Sequence, residues 1–236
     1  MQTISRKLVL TCEHASNALP EQWAYLFERD QEVLGTHRGW DRGAAFLVGI
    51  LNKEGCYSAF LGKYTRLLVD LNRSANHSKV FSEWTKPLEQ RKRNDIIYHY
   101  YLPYRDNVIA CIRKLIENGQ SVVHISVHSF ETELNGVVRK NDIGLLYDPG
   151  RTEEKKFCQN WADQIRKEKP GLAVRMNFPY LGKGDGFTTF LRKQFDASHY
   201  MGIELETNQF HYAPDGTCLT DLAEILKETL DRAAGC

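Results

Sequence analysis

The sequence predicts an α/β fold built on a mixed, mostly parallel sheet flanked by helices, and three observations carry that reading. Short runs rich in β-branched and apolar residues recur along the chain, residues 121–130 (SVVHISVHSF) being the clearest. Segments with apolar residues at helical spacing alternate with them. Several of the predicted strands run directly into polar clusters, as expected where ligands gather outside the carboxyl ends of strands in an open sheet.

Taken in order, residues 7–11 (KLVLT) read as a buried first strand leading into Cys12-Glu13-His14-Ala15-Ser16-Asn17. Pro20 can open a helical stretch through Arg29. Asp41 is placed to cap a buried helix over residues 43–51, with Gly55 as its stop. Residues 57–61 and 67–71 read as strands, the second ending in Asp70-Leu71-Asn72-Arg73. Tyr104, Val108, Ile109, Ile112, Leu115 and Ile116 hold helical spacing between Pro103 and Gly119. The aromatic stretch 95–101 before that helix reads as packing, because the charge around it is mixed. After the strand at 121–130 come a loop over 131–142, a strand over 143–147 and a turn at Asp148-Pro149-Gly150. A helix over 153–168 and a short strand over 172–175 follow. The glycines of 181–186 lack the spacing of a dinucleotide or phosphate loop and read as a mobile loop over a site. A last strand over 200–205 and an amphipathic helix over 219–233 complete a single domain spanning residues 1–236.

The 236 residues carry 31 basic and 30 acidic side chains, a net charge of +1, which argues against a nucleic-acid surface. The charged runs at 90–93 and 153–156 read as solvated faces. Six cysteines, at 12, 56, 111, 158, 218 and 236, lie far apart without a CxxC pair and are expected as reduced thiols of a cytoplasmic protein. The N-terminal MQTISRKLVL lacks the apolar core of a signal peptide, and no segment reaches the roughly 18 apolar residues of a membrane span.

Two histidines, His14 and His128, end different strands, and imidazole is the commonest ligand for zinc and related metals. A catalytic zinc usually takes three protein ligands, so a carboxylate is expected to complete the set. Asp41 and Glu13 are the candidates; Asp41 is preferred because consecutive side chains on an extended chain point apart, which sets Glu13 against His14. Glu204 and Glu206 alternate with Ile203 and Leu205, so both carboxylates share one face of the last strand. Burial there raises a carboxyl pKa and suits a general base. Asn72-Arg73 offers an amide and a planar guanidinium for a substrate carboxylate, with Arg66 and Arg139 as a second clamp and Ser129 beside His128. Ser129 sits in no GxSxG elbow, which places a metal hydrolase ahead of a serine hydrolase.

Cys12-Glu13-His14-Ala15-Ser16-Asn17, Trp40-Asp41-Arg42-Gly43-Ala44, residues 66–73 (RLLVDLNR) and His128-Ser129-Phe130, with Gly136, Arg139, residues 142–146 (DIGLL) and Glu206-Thr207-Asn208, resemble the N-formylglutamate amidohydrolase family in order and spacing. DLNR and the strand ending in His-Ser also look like pieces of zinc carboxypeptidases, so the resemblance implies a phosphorylase/hydrolase-like, zinc carboxypeptidase-like fold. It further implies a step of amino-acid catabolism in which a Zn2+-dependent enzyme hydrolyses N-formylglutamate to formate and glutamate. His14 and His128 would be metal ligands, Asn72, Arg73 and Arg139 would hold carboxylates, and Glu206 would be the base with Glu204 as fallback. The chain departs from these patterns at three places. Asn17 stands where the carboxypeptidase HxxE motif has its acid, Thr65 where Ser often precedes Arg-Leu, and Glu131-Thr132-Glu133 where the family commonly continues Thr-Pro. Two extra acids facing the pocket would repel a dicarboxylate. Another N-acyl amino acid or a short peptide is therefore the alternative substrate, and a non-catalytic carboxylate-binding module the alternative of a different class.

Overall fold

The computed structural model describes residues 6–235. The last cysteine, Cys236, and the first five residues of the N-terminal stretch lie outside the described residues; the other five cysteines are free thiols. A six-stranded sheet forms the centre. Its strands, in chain order, are β1 (Arg6–Cys12), β2 (Ser58–Leu61), β3 (Ser121–Phe130), then, after a small separate hairpin, β6 (Ile143–Leu146), β7 (Val174–Met176) and β8 (Tyr200–Asn208). The hairpin strands are β4 (Glu133–Leu134) and β5 (Val137–Val138). The spatial order is β2-β1-β3-β8-β6-β7. β2, β1, β3 and β8 run parallel, while β6 pairs antiparallel with β8 and β7 follows β6. This is the mixed, mostly parallel sheet that the sequence predicts.

Helices α1 (Ala44–Leu51), α4 (Thr152–Glu168) and α6 (Leu222–Ala234) cover one face, and α3 (Leu102–Glu117) and α5 (Phe187–Gln194) the other. α2 (Gln90–Ile96) runs through a π-helical turn (Ile97–Tyr101) into α3. The two sheet faces differ in composition, and period two explains how. Under α1, α4 and α6, Leu8, Leu10, Cys12, Val123, Ile125, Val127, Ile203 and Leu205 make a continuous apolar layer. On the α3 and α5 face, Val9, Val122 and Tyr200 are apolar at the strand starts. The same face turns polar toward the carboxyl ends, through His124, Ser126 and His128 on β3 and Glu204 and Glu206 on β8.

Two expectations need correction and two are made more specific. Residues 67–71 form turns: Leu68 N–H bonds the Thr65 carbonyl, Asp70 N–H bonds the Val80 carbonyl, and Leu68, Val69 and Leu71 are buried against Trp23, Val80 and Ile96 in a cluster away from the sheet. Burial without a neighbouring strand produced the same apolar run that a strand would. Asp41 gives α1 only its backbone carbonyl, bonded by Ala44 N–H at 3.1 Å; the residue preceding the helix is Gly43, in a left-handed conformation at φ 87°. Any side chain on Gly43 would meet the Tyr212 ring at 2.3 Å. The helical stretch expected over 20–29 is a 3-10 helix, Glu21–Phe27, and the loop over 131–142 holds the β4–β5 hairpin, turned at Asn135-Gly136.

Candidate functional site

Three parallel strands deliver the site. The turn after β1 supplies Glu13 and His14, β3 supplies Ser126 and His128, and β8 supplies Glu204 and Glu206, with His128 directly opposite Glu206 in the β3–β8 register. The turns at 66–73 and the approach to α1 add Arg66, Asp70, Asn72 and Asp41. His14 and His128, 114 residues apart in number, come together with ring centroids 5.0 Å apart. Asp41 lies between them: its Oδ2 is 3.2 Å from His14 Nδ1 and 2.8 Å from His128 Nδ1. One donor atom from each of the three falls within 4.8 Å of the others, and all three residues are buried.

The far nitrogen of each imidazole meets another carboxylate. His14 Nε2 is 2.7 Å from Asp70 Oδ1, and His128 Nε2 is 3.3 Å from Glu13 Oε2 and 3.0 Å from Ser126 Oγ. Glu13 also accepts from Ser126 Oγ at 2.6 Å and from Tyr104 Oη at 3.2 Å. Glu13 thus sits behind His128, while Asp41 lies on the shared side of both rings. Burial alone would raise these carboxyl pKa values. For Asp41 it is overcome by the charges of His14 and Arg66 and by the bonds to both imidazoles, which hold the group well below the usual carboxylate range. For Glu13 the contacts with His128 and Ser126 do the same. Burial would lower His128, and hydrogen bonds to Asp41 and Glu13 instead raise it well above the ordinary histidine value.

Glu206 is the exception. Its Oε2 is buried without a hydrogen-bond partner among the described residues, and burial, only partly offset by the charge of His128, pushes its pKa up to about 8. Glu204 lies on the same strand face, but its Oε1 accepts from Thr188 Oγ1 at 2.6 Å. Close approach of backbone beside Glu206 depends on Gly144, where a Cβ would come within 2.1 Å of the Phe178 carbonyl oxygen and 3.3 Å of Glu206 Cβ.

A cavity of about 470 Å³ opens over these groups, lined also by Arg66, Arg73, Arg139, Ser129 and Tyr180. Arg66 spans Asp41 at 3.0 Å and Asp70 at 3.6 Å. Asn72 Oδ1 accepts from Phe187 N–H at 2.7 Å, which turns its amide nitrogen toward His128 Nε2, 3.5 Å away. Arg73 donates to the Asp185 carbonyl at 2.5 Å. Arg139 bonds Tyr180 Oη at 3.4 Å, lies 5.4 Å from that ring and 5.7 Å from Phe130, and has no carboxylate within ion-pair distance among the described residues. Ser129 borders the cavity, yet its hydroxyl donates to the Arg42 carbonyl and accepts from Gln209. The loop 181–186, expected as a mobile loop over a site, borders the cavity through Leu181, Gly184 and Asp185; Ser74 bonds the Asp185 carboxylate through N–H and Oγ, and Arg192 bonds the Gly182 carbonyl at 2.6 Å.

Of the two extra acids, Glu131 lines the cavity but pairs with His37 Nδ1 at 2.5 Å, and Glu133 lies exposed on the hairpin away from the cavity lining. Sequence reasoning gave no role to Asp70, Ser126, Tyr104, His37 or Asp185. Ser126 was reachable, standing two residues before His128 on one strand face; Tyr104 arrives from α3 with no local signal.

The model of the N-formylglutamate amidohydrolase family matches residues 6–213, which contain every residue of the cavity. The chain belongs to the N-formylglutamate amidohydrolase family. Among solved structures, a gene product of Agrobacterium tumefaciens is 25% identical with a TM-score of 0.80, the alignment covering 98% of this chain and 92% of that one. An N-formylglutamate amidohydrolase from Ralstonia eutropha JMP134 has the same fold at 17% identity and a TM-score of 0.71, covering 99% and 94%. No curated protein matches the chain significantly. As a member of this amidohydrolase family the chain is an enzyme acting on a small molecule, and among the described residues no helix is long and apolar enough to cross a membrane.

Proposed function

We propose that the chain is a metal-dependent hydrolase that cleaves the amide of a small N-acyl amino acid, with N-formyl-L-glutamate, giving formate and L-glutamate, as the favoured substrate. The observation that carries this reading is the pairing of each imidazole: one nitrogen of His14 and of His128 faces the Asp41 carboxylate, and the other is held by Asp70 or Glu13. Metal-ligating histidines are oriented by a carboxylate on their second nitrogen, so the donor set fits a divalent ion held by His14, Asp41 and His128. In that assignment Glu13 orients His128 and leaves the third position to Asp41. Two nitrogens and one carboxylate oxygen suit zinc, which when bound supplies Lewis acidity and lowers the pKa of water.

The remaining work falls to the chain's own side chains. Glu206, buried beside that donor set and with Oε2 lacking a hydrogen-bond partner among the described residues, is the group free to take a proton from water and return it to the departing amine; Glu204 is committed to Thr188. Asn72, locked by the Phe187 N–H, presents its amide nitrogen to a substrate carboxylate. Arg73 and Arg139 border the same cavity, and Arg139, with no carboxylate partner among the described residues, suits the second carboxylate of an acidic substrate. Glu131 is held by His37 Nδ1, so the extra acid does not by itself exclude a dicarboxylate.

Metal analysis of the purified protein, with formate release measured before and after chelation, tests the proposal. Stoichiometric zinc and chelation-sensitive formate release are expected, and undiminished turnover after verified metal removal overturns the metal mechanism. A panel of N-formyl and N-acetyl amino acids tests the substrate, and preference for a cationic side chain removes N-formylglutamate.

A further inference from the structure

The segment 63–72 is a partition between two cavities. Arg66, Asp70 and Asn72 contact the candidate site on one side. Lys63, Tyr64, Val69 and Leu71 line a second cavity, of about 440 Å³, on the other. Phe60 of β2, Tyr100 of the π-helical turn and Tyr104 of α3 complete its walls, and the rings of Tyr64 and Tyr100 meet edge to face at 5.2 Å. Tyr104 belongs to both sides: its ring lines the second cavity, while its hydroxyl donates to Glu13 Oε1, the carboxylate behind His128.

The lining specifies the chemistry of an occupant. Four aromatic rings favour a flat aryl group, which gains from edge and offset contacts as well as from burial. The exposed Lys63 at the rim has no carboxylate within ion-pair distance among the described residues, and exposed His99 and Asn107 border the same opening. A single ammonium without an arginine fork matches one anionic group of a ligand rather than a dicarboxylate, and a carboxylate is the anion that accompanies a small aryl ring at least cost in desolvation. The volume lies in the range of small-molecule sites.

We propose that this second cavity is an effector site for a small aryl carboxylate, the ring held among Phe60, Tyr64, Tyr100 and Tyr104 and the carboxylate facing Lys63. Occupancy acts on amide turnover through the partition and Tyr104, which carry side chains of the candidate site on their other side. Calorimetric titration of the full, metal-loaded chain with 3-phenylpropionate, and with 3-phenylpropan-1-ol as its neutral counterpart, tests this directly. The acid is expected to bind at one site, roughly two- to fivefold tighter than the alcohol, the range of a solvent-exposed ion pair. Lys63→Ala is expected to erase that difference. Asn107→Trp, filling the mouth from α3, abolishes binding of both compounds, and Arg139→Ala leaves it unchanged. The acid shifts the rate of amide cleavage in the wild-type chain and not in Asn107→Trp. Equal affinity for acid and alcohol, or no binding at millimolar concentration, overturns the site. Loss of binding in Arg139→Ala moves the ligand to the first cavity, and binding without a change in rate removes the effector role. The effector role rests on the hydrolase reading, whereas the titration reads binding without turnover, so failure of one is distinguishable from failure of the other.

Discussion

Two buried charge clusters flank β8, and they are built to opposite specifications. In one, Glu154 and Arg192 pair at 3.0 Å; Glu154 also accepts from the N–H groups of Gly202 and Asp148, and Arg192 donates to the carbonyls of Gly182 and Gly202. Both carboxylate oxygens and all three guanidinium nitrogens are engaged. In the other, Glu13, Asp41 and Asp70 crowd two imidazoles and Arg66, while Glu206 beside them keeps one oxygen unpartnered among the described residues. A satisfied buried pair fixes structure, whereas an unsatisfied buried acid stores reactivity.

Glu206→Gln tests the unsatisfied side and carries the largest expected effect. Turnover should fall by about 10²–10⁴, the range for loss of a general base, while metal content and melting temperature hold. A fully active Glu206→Gln with an inactive Glu204→Gln would exchange the two roles. Glu154→Gln tests the satisfied side and should do the reverse. Stability should drop by about 3–5 kcal/mol, as when one partner of a buried pair is removed, with kcat of the remaining folded enzyme nearly unchanged; loss of activity without loss of stability would erase the contrast between the clusters.

That contrast also explains what the sequence could show. The strand ends carrying His14, His128 and Glu206 were legible because period-two runs break off in polar residues, and the shared face of Glu204 and Glu206 followed from alternation alone. Asp70 sat in plain view within DLNR, but its contact with His14 depends on a turn that the apolar run at 67–71 disguised as a strand. Glu154 and Arg192 were illegible: each lies in an amphipathic helix pattern where acids and arginines are ordinarily solvated, and only tertiary packing buries them. The antiparallel direction of β6 was equally hidden, since strand direction leaves no mark on composition.

A third buried group sharpens the comparison by titration. His124 bonds Thr11 Oγ1 and Tyr200 Oη, both at 2.7 Å, and burial lowers its pKa to about 4. Because the folded value lies below that of the unfolded chain, the unfolded chain takes up the proton first as pH falls. The stabilisation is therefore whole above about pH 6.5 and is lost progressively toward pH 4, amounting to about 2 kcal/mol between pH 6.5 and 5. Chemical denaturation of His124→Gln should show a shallower slope in that window. Buried His211, lowered in the same direction by burial, adds to the slope, while Glu206, raised to about 8, opposes it. An unchanged slope would mean that His124 does not titrate between the two states.

The smallest effect is expected at the cavity rim. His37→Gln removes the ring nitrogen that holds Glu131 and frees its carboxylate to turn toward the substrate, so KM for N-formylglutamate should rise severalfold while KM for N-formylglutamine stays level, and Glu131→Gln in the same chain should restore it. Equal changes for both substrates would make the His37–Glu131 pair purely structural.

The Thr11–His124–Tyr200 relay ties β1, β3 and β8 together side chain to side chain. Sliding any of these strands by a single residue would break it and invert which face each side chain occupies. His14, His128 and Glu206 project from the far ends of the same three strands, so alignment set deep inside the sheet is carried along rigid backbone to the reacting groups. Insertions in the connecting loops can then accumulate without disturbing the spacing of those groups, whereas one added residue between the relay and the strand tips would misalign them.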